Sequence, residues 1–113
     1  MKKIEAIIRP ELLEDIKEIL SRLNLNGLTV SQVVGVGNQK GWKEIVRGSE
    51  VDYNFLPKIK IELVVLDDQV EKVIEAIVEK AYTGEFGDGK IFVTDITDAV
   101  RIRTRERGEA AVK

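Results

Sequence analysis

The chain has 113 residues, enough for one domain and too few for two independent cores without covalent staples. Hydrophobic residues at 43% and charged residues at 34% supply core material and exclude a disordered chain, while Lys+Arg 18 against Asp+Glu 20 gives no general field for nucleic acid. Cysteine and histidine are both absent, which excludes disulfides, thiol nucleophiles, zinc-finger ligation and imidazole acid–base catalysis together.

Ile4, Ala6 and Ile8 alternate with Lys3 and Glu5, predicting a first strand with one buried face, although Ile7 breaks the alternation. No signal-peptide core follows Met1, and no apolar run reaches the roughly 20 residues of a spanning helix, so the expectation is a cytoplasmic chain that is not membrane-inserted. Pro10 suits the first position of a helix, Glu11, Glu14 and Asp15 suit its opening turns, and Leu12, Leu13, Ile16, Ile19, Leu20 and Leu23 form its stripe. That helix closes near Asn24 to Gly27. Residues 28–34 read as a β-branched strand ended by Gly35-Val36-Gly37. From Gly37 to Leu56 no period is sustained, predicting a long loop with a short extended arm. Lys58 to Leu66 alternates and then turns fully apolar, as a strand buried at its far end. Asp68 with Glu71 reads as a capping box for a second helix carrying Val70, Val73, Ile74, Ile77, Val78 and Ala81 on one face. A glycine-rich turn, Thr83 to Gly89, leads into a last strand from Lys90 to Ile96.

The order βαββαβ with right-handed crossovers predicts an α+β, ferredoxin-like sandwich, an antiparallel four-stranded sheet with both helices on one face. Val30, Ile59, Ile61 and Val93 look too numerous for the helix-covered face alone. The expectation is therefore an apolar open face, hidden by oligomerisation; a monomer with a mildly apolar open face is the alternative.

Gly84-Glu85-Phe86-Gly87-Asp88-Gly89-Lys90-Ile91 nearly spells a P-loop. It has Ile91 where a magnesium-binding hydroxyl belongs, and it runs from helix to strand instead of strand to helix, so it is not a Walker A motif. Its glycines can still converge backbone N–H groups on an anion, with Lys90 adding charge; an ordinary turn is the alternative. Gly35-Val36-Gly37-Asn38-Gln39-Lys40-Gly41 is a second glycine cluster, and Lys40 and Lys90 could face one anion within a chain or across a subunit boundary. Arg101, Arg103 and Arg105 would project from one side of an extended segment and suit phosphate or carboxylate; a solvated tail with Glu106 and Glu109 is the alternative. Nucleic acid is set aside, because the sheet lacks paired aromatics for base stacking. Trp42, Ile45, Val46, Tyr53 and Phe55 make the 37–56 loop adhesive, as a partner-binding arm would be.

These segments together resemble a known family over essentially the whole chain. Met1-Lys2-Lys3-Ile4-Glu5-Ala6-Ile7-Ile8-Arg9-Pro10, the Gly35 to Gly41 cluster, Phe55-Leu56-Pro57-Lys58, Thr83-Gly84 with Gly87-Asp88-Gly89-Lys90-Ile91-Phe92-Val93, and Arg101-Ile102-Arg103-Thr104 with Glu106-Arg107-Gly108-Glu109 resemble the PII nitrogen-regulatory signal proteins. The resemblance implies a single domain over 1–113, assembled as a homotrimer with nucleotide clefts between subunits. ATP and ADP would compete there, and 2-oxoglutarate would bind beside Mg2+-ATP. Thr29, Gly35, Val36, Gly37, Asn38, Gln39, Val64, Gly87, Asp88, Gly89 and Lys90 would hold the nucleotide, and Arg101 and Arg103 of the 101–113 basic segment would reach its phosphates. Gln39 would ligate Mg2+, and Gln39, Lys40, Gly41 and Lys58 would receive 2-oxoglutarate.

The same resemblance makes the long loop, with Trp42, Arg47, Ser49 and Tyr53, the partner-binding element. An ammonium transporter is the implied target, plugged by Arg47 during reversible recruitment to the inner face of the membrane; enzymes or kinases of nitrogen metabolism are the alternative targets. Many relatives carry Arg where this chain has Asn38, which implies weaker discrimination of ATP from ADP. The loop tyrosine of uridylylated relatives is Val51 here, Tyr53 lying two positions on, and Ser49 matches a position phosphorylated in some. The chain is expected not to be an enzyme; a weak ATPase is the contrasting reading, with only Asp88 or Glu62 available to orient water.

Overall fold

The computed structural model describes residues 1–25, 27–37, 44–46, 49–51 and 54–113. Its strands are β1 (Lys2–Ile8), β2 (Thr29–Gly37), β3 (Glu44–Val46), β4 (Ser49–Val51), β5 (Asn54–Val65) and β6 (Lys90–Asp95), and its helices are α1 (Leu13–Arg22), α2 (Val70–Ala81) and a short α3 (Glu109–Val112). The main sheet has the order β2-β5-β1-β6, antiparallel at every junction. Each long helix therefore links two strands that are not neighbours, which is the split-βαβ arrangement expected from the sequence.

Period-two burial builds the core. Ile4, Ala6 and Ile8 of β1 stand opposite Leu63, Ile61 and Ile59 of β5, and this layer packs against Ile16 and Leu20 of α1 and Val73 and Ile77 of α2. Ile7 falls on the other face, between Lys60 and Lys90.

The register moves the four apolar residues expected on the open face to the core side. Val30 lies opposite Ile61, and Val93 lies opposite Ile4, so both share the core side with Ile59 and Ile61. Residues two apart on a strand share a face, and cross-strand register then gathers all four positions on one side. The open face is mixed: Ile7, Val33, Val64 and Phe92 share it with an ionic ladder in which Lys60 Nζ stands 3.2 Å from Glu5 and 3.4 Å from Glu62, and Lys3 Nζ 3.9 Å from Glu62.

Both helices are entered through a single 3-10 turn, Pro10–Leu12 before α1 and Asp67–Gln69 before α2. The second start is not capped by Asp68 and Glu71. The Leu66 N–H donates to the Gln69 side chain at 3.0 Å and the Gln69 N–H to the Leu66 carbonyl at 2.9 Å, while Asp67 pairs with the N-terminal ammonium at 2.9 Å. Helix α1 closes at Asn24, with φ 61°, where the Asn24 and Leu25 N–H groups donate to Ser21 and Leu20 carbonyls.

Strands β2 and β5 run further than the sequence pattern indicates, with Gly35, Val36 and Gly37 paired to Leu56, Phe55 and Asn54. Beyond this ribbon, β3 pairs with β4 as a short arm. Val34, Val36 and Phe55 remain exposed on the ribbon, past the cover of the helices. Among the described residues no helix is long and apolar enough to cross a membrane.

Candidate anion-binding site

The turn from α2 to β6 passes through three glycines in the left-handed region, Gly84 (φ 85°), Gly87 (φ 99°) and Gly89 (φ 100°). At Gly89 the requirement is absolute, because a Cβ would lie 1.8 Å from the Ile7 carbonyl oxygen. The turn is thus pressed against the end of β1, where Arg9 follows.

Asp88 organises this turn. Its Oδ1 accepts from Arg9 Nη1 at 2.7 Å and from the Thr83 hydroxyl, and its Oδ2 accepts from the Thr83 N–H at 2.8 Å and the Gly84 N–H at 2.9 Å. The Thr83 hydroxyl first, then the Thr83 N–H and the Arg9 guanidinium, hold the carboxyl well below the usual carboxylate range. Arg9 Nη2 also donates to the Phe86 carbonyl at 3.0 Å, and Lys58 Nζ to the Gly87 carbonyl at 2.9 Å. Lys58 in turn runs beside Gly35, whose missing Cβ would be 3.5 Å from Lys58 Cγ. Lys90 starts β6 next to the turn, and its exposed side chain has no hydrogen-bond or ion-pair partner among the described residues. An apolar cavity of ≈ 320 Å³, walled by Ile77, Ala81 and Tyr82, opens behind Gly89.

The residues expected to bind nucleotide divide between two ends of the sheet. Gly35, Val36, Gly37, Gly87, Asp88, Gly89 and Lys90 gather at one end, with Lys58 among them. Thr29 lies six residues down β2, roughly 20 Å away at strand spacing, opposite Glu62, and Val64 lies opposite Lys3. Strand β6 ends at Asp95 beside Lys2, and Arg101 and Arg103 come after it. The arginines are not on an extended stripe. Residues 102–104 form a turn, Arg105 has φ 64°, and Arg101 is held by Glu106 at 2.8 Å and the Lys113 carbonyl oxygen at 2.6 Å. Among the described residues, no hydrogen bond or ion pair joins Arg101 or Arg103 to the 84–90 turn. Asn38, Gln39, Lys40, Gly41, Trp42, Arg47 and Tyr53 lie outside the described residues, and of Ser49 only the strand backbone in β4 is described.

Arg9 and Thr83 were not singled out as site residues from the sequence. Their spacing from Asp88, 79 and five residues, carries no motif; the only local signal was a Thr-Gly pair opening a glycine-rich turn.

A family model described as "Nitrogen regulatory protein P-II" matches residues 1–106. The chain belongs to the P-II family of nitrogen regulatory proteins. It is similar to a nitrogen regulatory protein P-II of Pasteurella multocida, 54% identical over 112 residues, which span 99% of this chain and all of that one. A P-II protein of Rhodospirillum rubrum is 55% identical and the nitrogen regulatory protein GlnK of Escherichia coli K12 is 50% identical, with the same coverage. The P-II names describe regulators and name no catalysed reaction, in keeping with a site built of backbone amides and cations.

Proposed function

We propose that this P-II chain is a sensor of energy and carbon–nitrogen status that binds ATP or ADP, with Mg2+ and 2-oxoglutarate, between subunits of a homotrimer. The observation that carries the reading is the division of the expected nucleotide ligands between two ends of one chain. A glycine turn with Lys58 and Lys90 at one end and Arg103 past the other are complementary halves, and a ring of head-to-tail copies would bring them together. A triphosphate beside a dicarboxylate is a dense anion cluster, which calls for several cationic donors and a dication. Gln39 would hold the Mg2+ together with phosphate oxygens, and the ion would neutralise charge between nucleotide and effector.

The geometry disfavours a weak ATPase. Asp88 has both oxygens occupied by four donors, and Glu62 stands opposite Thr29, away from the glycine turn, and is ion-paired with Lys60 and Lys3. The output would pass through the 37–56 segment, which continues from the β2–β5 ribbon four residues beyond the Val33–Lys58 pair. An ammonium transporter, engaged by Arg47 at the inner face of the membrane, is the proposed target; a nitrogen-metabolism enzyme or kinase is the second target class, favoured by the exposed Val34, Val36 and Phe55 at the base of the arm.

Calorimetric titration of Mg2+-ATP with and without 2-oxoglutarate, with mass measured by light scattering, tests the sensor. ATP and 2-oxoglutarate should each raise the other's affinity by the same factor, on a trimer. ATP binding indifferent to 2-oxoglutarate would remove the nitrogen-sensing claim. Arg47→Ala should abolish recruitment to membranes containing the transporter and leave nucleotide binding intact; recruitment that persisted would remove the plug.

A further inference from the structure

We infer that Asp88 does not touch the nucleotide, and that Arg9, Thr83 and Asp88 form a bracket that sets the amides of the 84–90 turn for phosphate. The inference rests on the nucleotide reading above and assigns three positioning residues to that site.

Three observations carry it. A carboxylate offers about four acceptor positions, and Asp88 receives four donors from within the chain, so none remains for a ligand. An anionic side chain turned toward a triphosphate would also repel it, whereas one turned back onto Arg9 is neutralised. The second observation is the direction of two peptides. The Phe86 carbonyl accepts from Arg9 and the Gly87 carbonyl from Lys58. In a planar trans peptide the N–H points opposite to the carbonyl, so the Gly87 N–H is turned away from Arg9 and the Asp88 N–H away from Lys58. The third is that, among the described residues, no hydrogen bond uses either of those N–H groups. Two amides aimed outward, on glycine-permitted backbone beside Lys90, form an anion nest whose shape depends on the bracket behind it.

Arg9 has a dual role in this arrangement. One nitrogen fixes the Asp88 side chain and the other fixes the Phe86 carbonyl, so a single planar guanidinium sets both the closure of the turn and the tilt of its first amide. Lysine at position 9 would retain the ion pair and lose the fork.

The test is titration of Mg2+-ATP into the full chain and into Arg9→Met, Asp88→Asn, Thr83→Val, Arg9→Lys and the Arg9→Met/Asp88→Asn double variant. Melting temperature and assembled mass are recorded on the same samples. The bracket predicts that Arg9→Met and Asp88→Asn each weaken ATP by about tenfold or more, that the double variant is no weaker than the weaker single, and that Arg9→Lys falls between wild type and Arg9→Met. Folded and assembled variants should show this loss, whereas a purely structural role would lower the melting temperature and leave the affinity of the folded fraction unchanged. Thr83→Val removes two hydroxyl bonds, the one given to Asp88 and the one accepted from the Glu85 N–H at 3.1 Å, without changing side-chain shape, and keeps the question answerable if Arg9→Met does not assemble. Tighter ATP binding by Asp88→Asn would mean that the carboxylate faces the phosphates, and additive losses would mean independent contacts; either overturns the bracket. Wild-type protein that failed to bind Mg2+-ATP would overturn the nucleotide reading itself, whereas wild-type binding with unaffected variants would overturn the bracket alone.

Discussion

A methyl group at position 89 would sit 1.8 Å from the Ile7 carbonyl oxygen, on backbone with φ 100°. Gly89→Ala should therefore cost about 3 kcal/mol or more in urea unfolding and disturb the site, and an unaltered midpoint would show that β1 and the turn are less tightly joined. The sequence showed that this turn was rich in glycine; it could not show which glycine meets another strand, since that depends on a contact 82 positions away. Asp88 supplies a second test. Its folded value lies below its unfolded one, so its stabilising contribution is present above the ordinary aspartate value and lost as pH falls through the depressed folded value. The Asp88 carboxyl carbon resonance should show no titration near 3.9, and Thr83→Val should move its midpoint upward. A wild-type midpoint near 3.9 would mean that the carboxylate is not held by these donors.

At the scale of elements, the readable features were those whose signal is local. The stripe of α1, the stripe of α2 and the alternation of β1 each repeat within one segment, and each element formed where its period indicated. Ends and pairings were less legible. Asp68 and Glu71 had capping-box spacing, but the chain leaves β5 through a 3-10 turn that brings Gln69 to the Leu66 N–H first. Gln69→Ala should lower stability by about 1 kcal/mol, while Asp68→Ala should have little effect. At the other helix end, Asn24→Ala should cost about 1 kcal/mol and Asn24→Gly should be nearly neutral, because the position needs φ near 61°. The reach of β2 and β5 to Gly37 and Asn54 was hidden for a different reason: strand pairing supplies the order there, with no apolar period to announce it. The Arg101 to Arg105 spacing suggested an extended stripe, yet Glu106 draws Arg101 inward and folds the segment into a turn. The open sheet face depended on register as well. Glu5 lies directly opposite Glu62, with Lys60 between them, so Lys60→Met should lower the melting temperature, more strongly at low salt. An equal loss at high salt would point to packing by the lysine stem.

For the whole molecule, the motifs in order and spacing made the P-II family legible, and the full-length match agrees. The physical case for assembly first drawn from the sequence, an apolar open face, rests on Ile7, Val33, Val64 and Phe92 in place of the four residues expected there, and a second case stands beside it. Thr29 and Val64 lie at the end of the sheet away from the phosphate turn, and Arg101 and Arg103 follow the far end of β6, so the proposed site would be completed by a second copy. Neither the Lys90 nor the Arg103 side chain makes a hydrogen bond or ion pair among the described residues, so each can be truncated with little disturbance to the fold. Lys90→Ala and Arg103→Ala chains should each lose Mg2+-ATP binding. The decisive measurement is binding stoichiometry after the two variants are dissociated and reassembled together. In a cyclic trimer every mixed ring contains one cleft with both residues intact, so random mixing should restore about a quarter of the wild-type sites. Restoration to that level would place the nucleotide between subunits, and a mixture that bound no more than the separate variants would contradict the account.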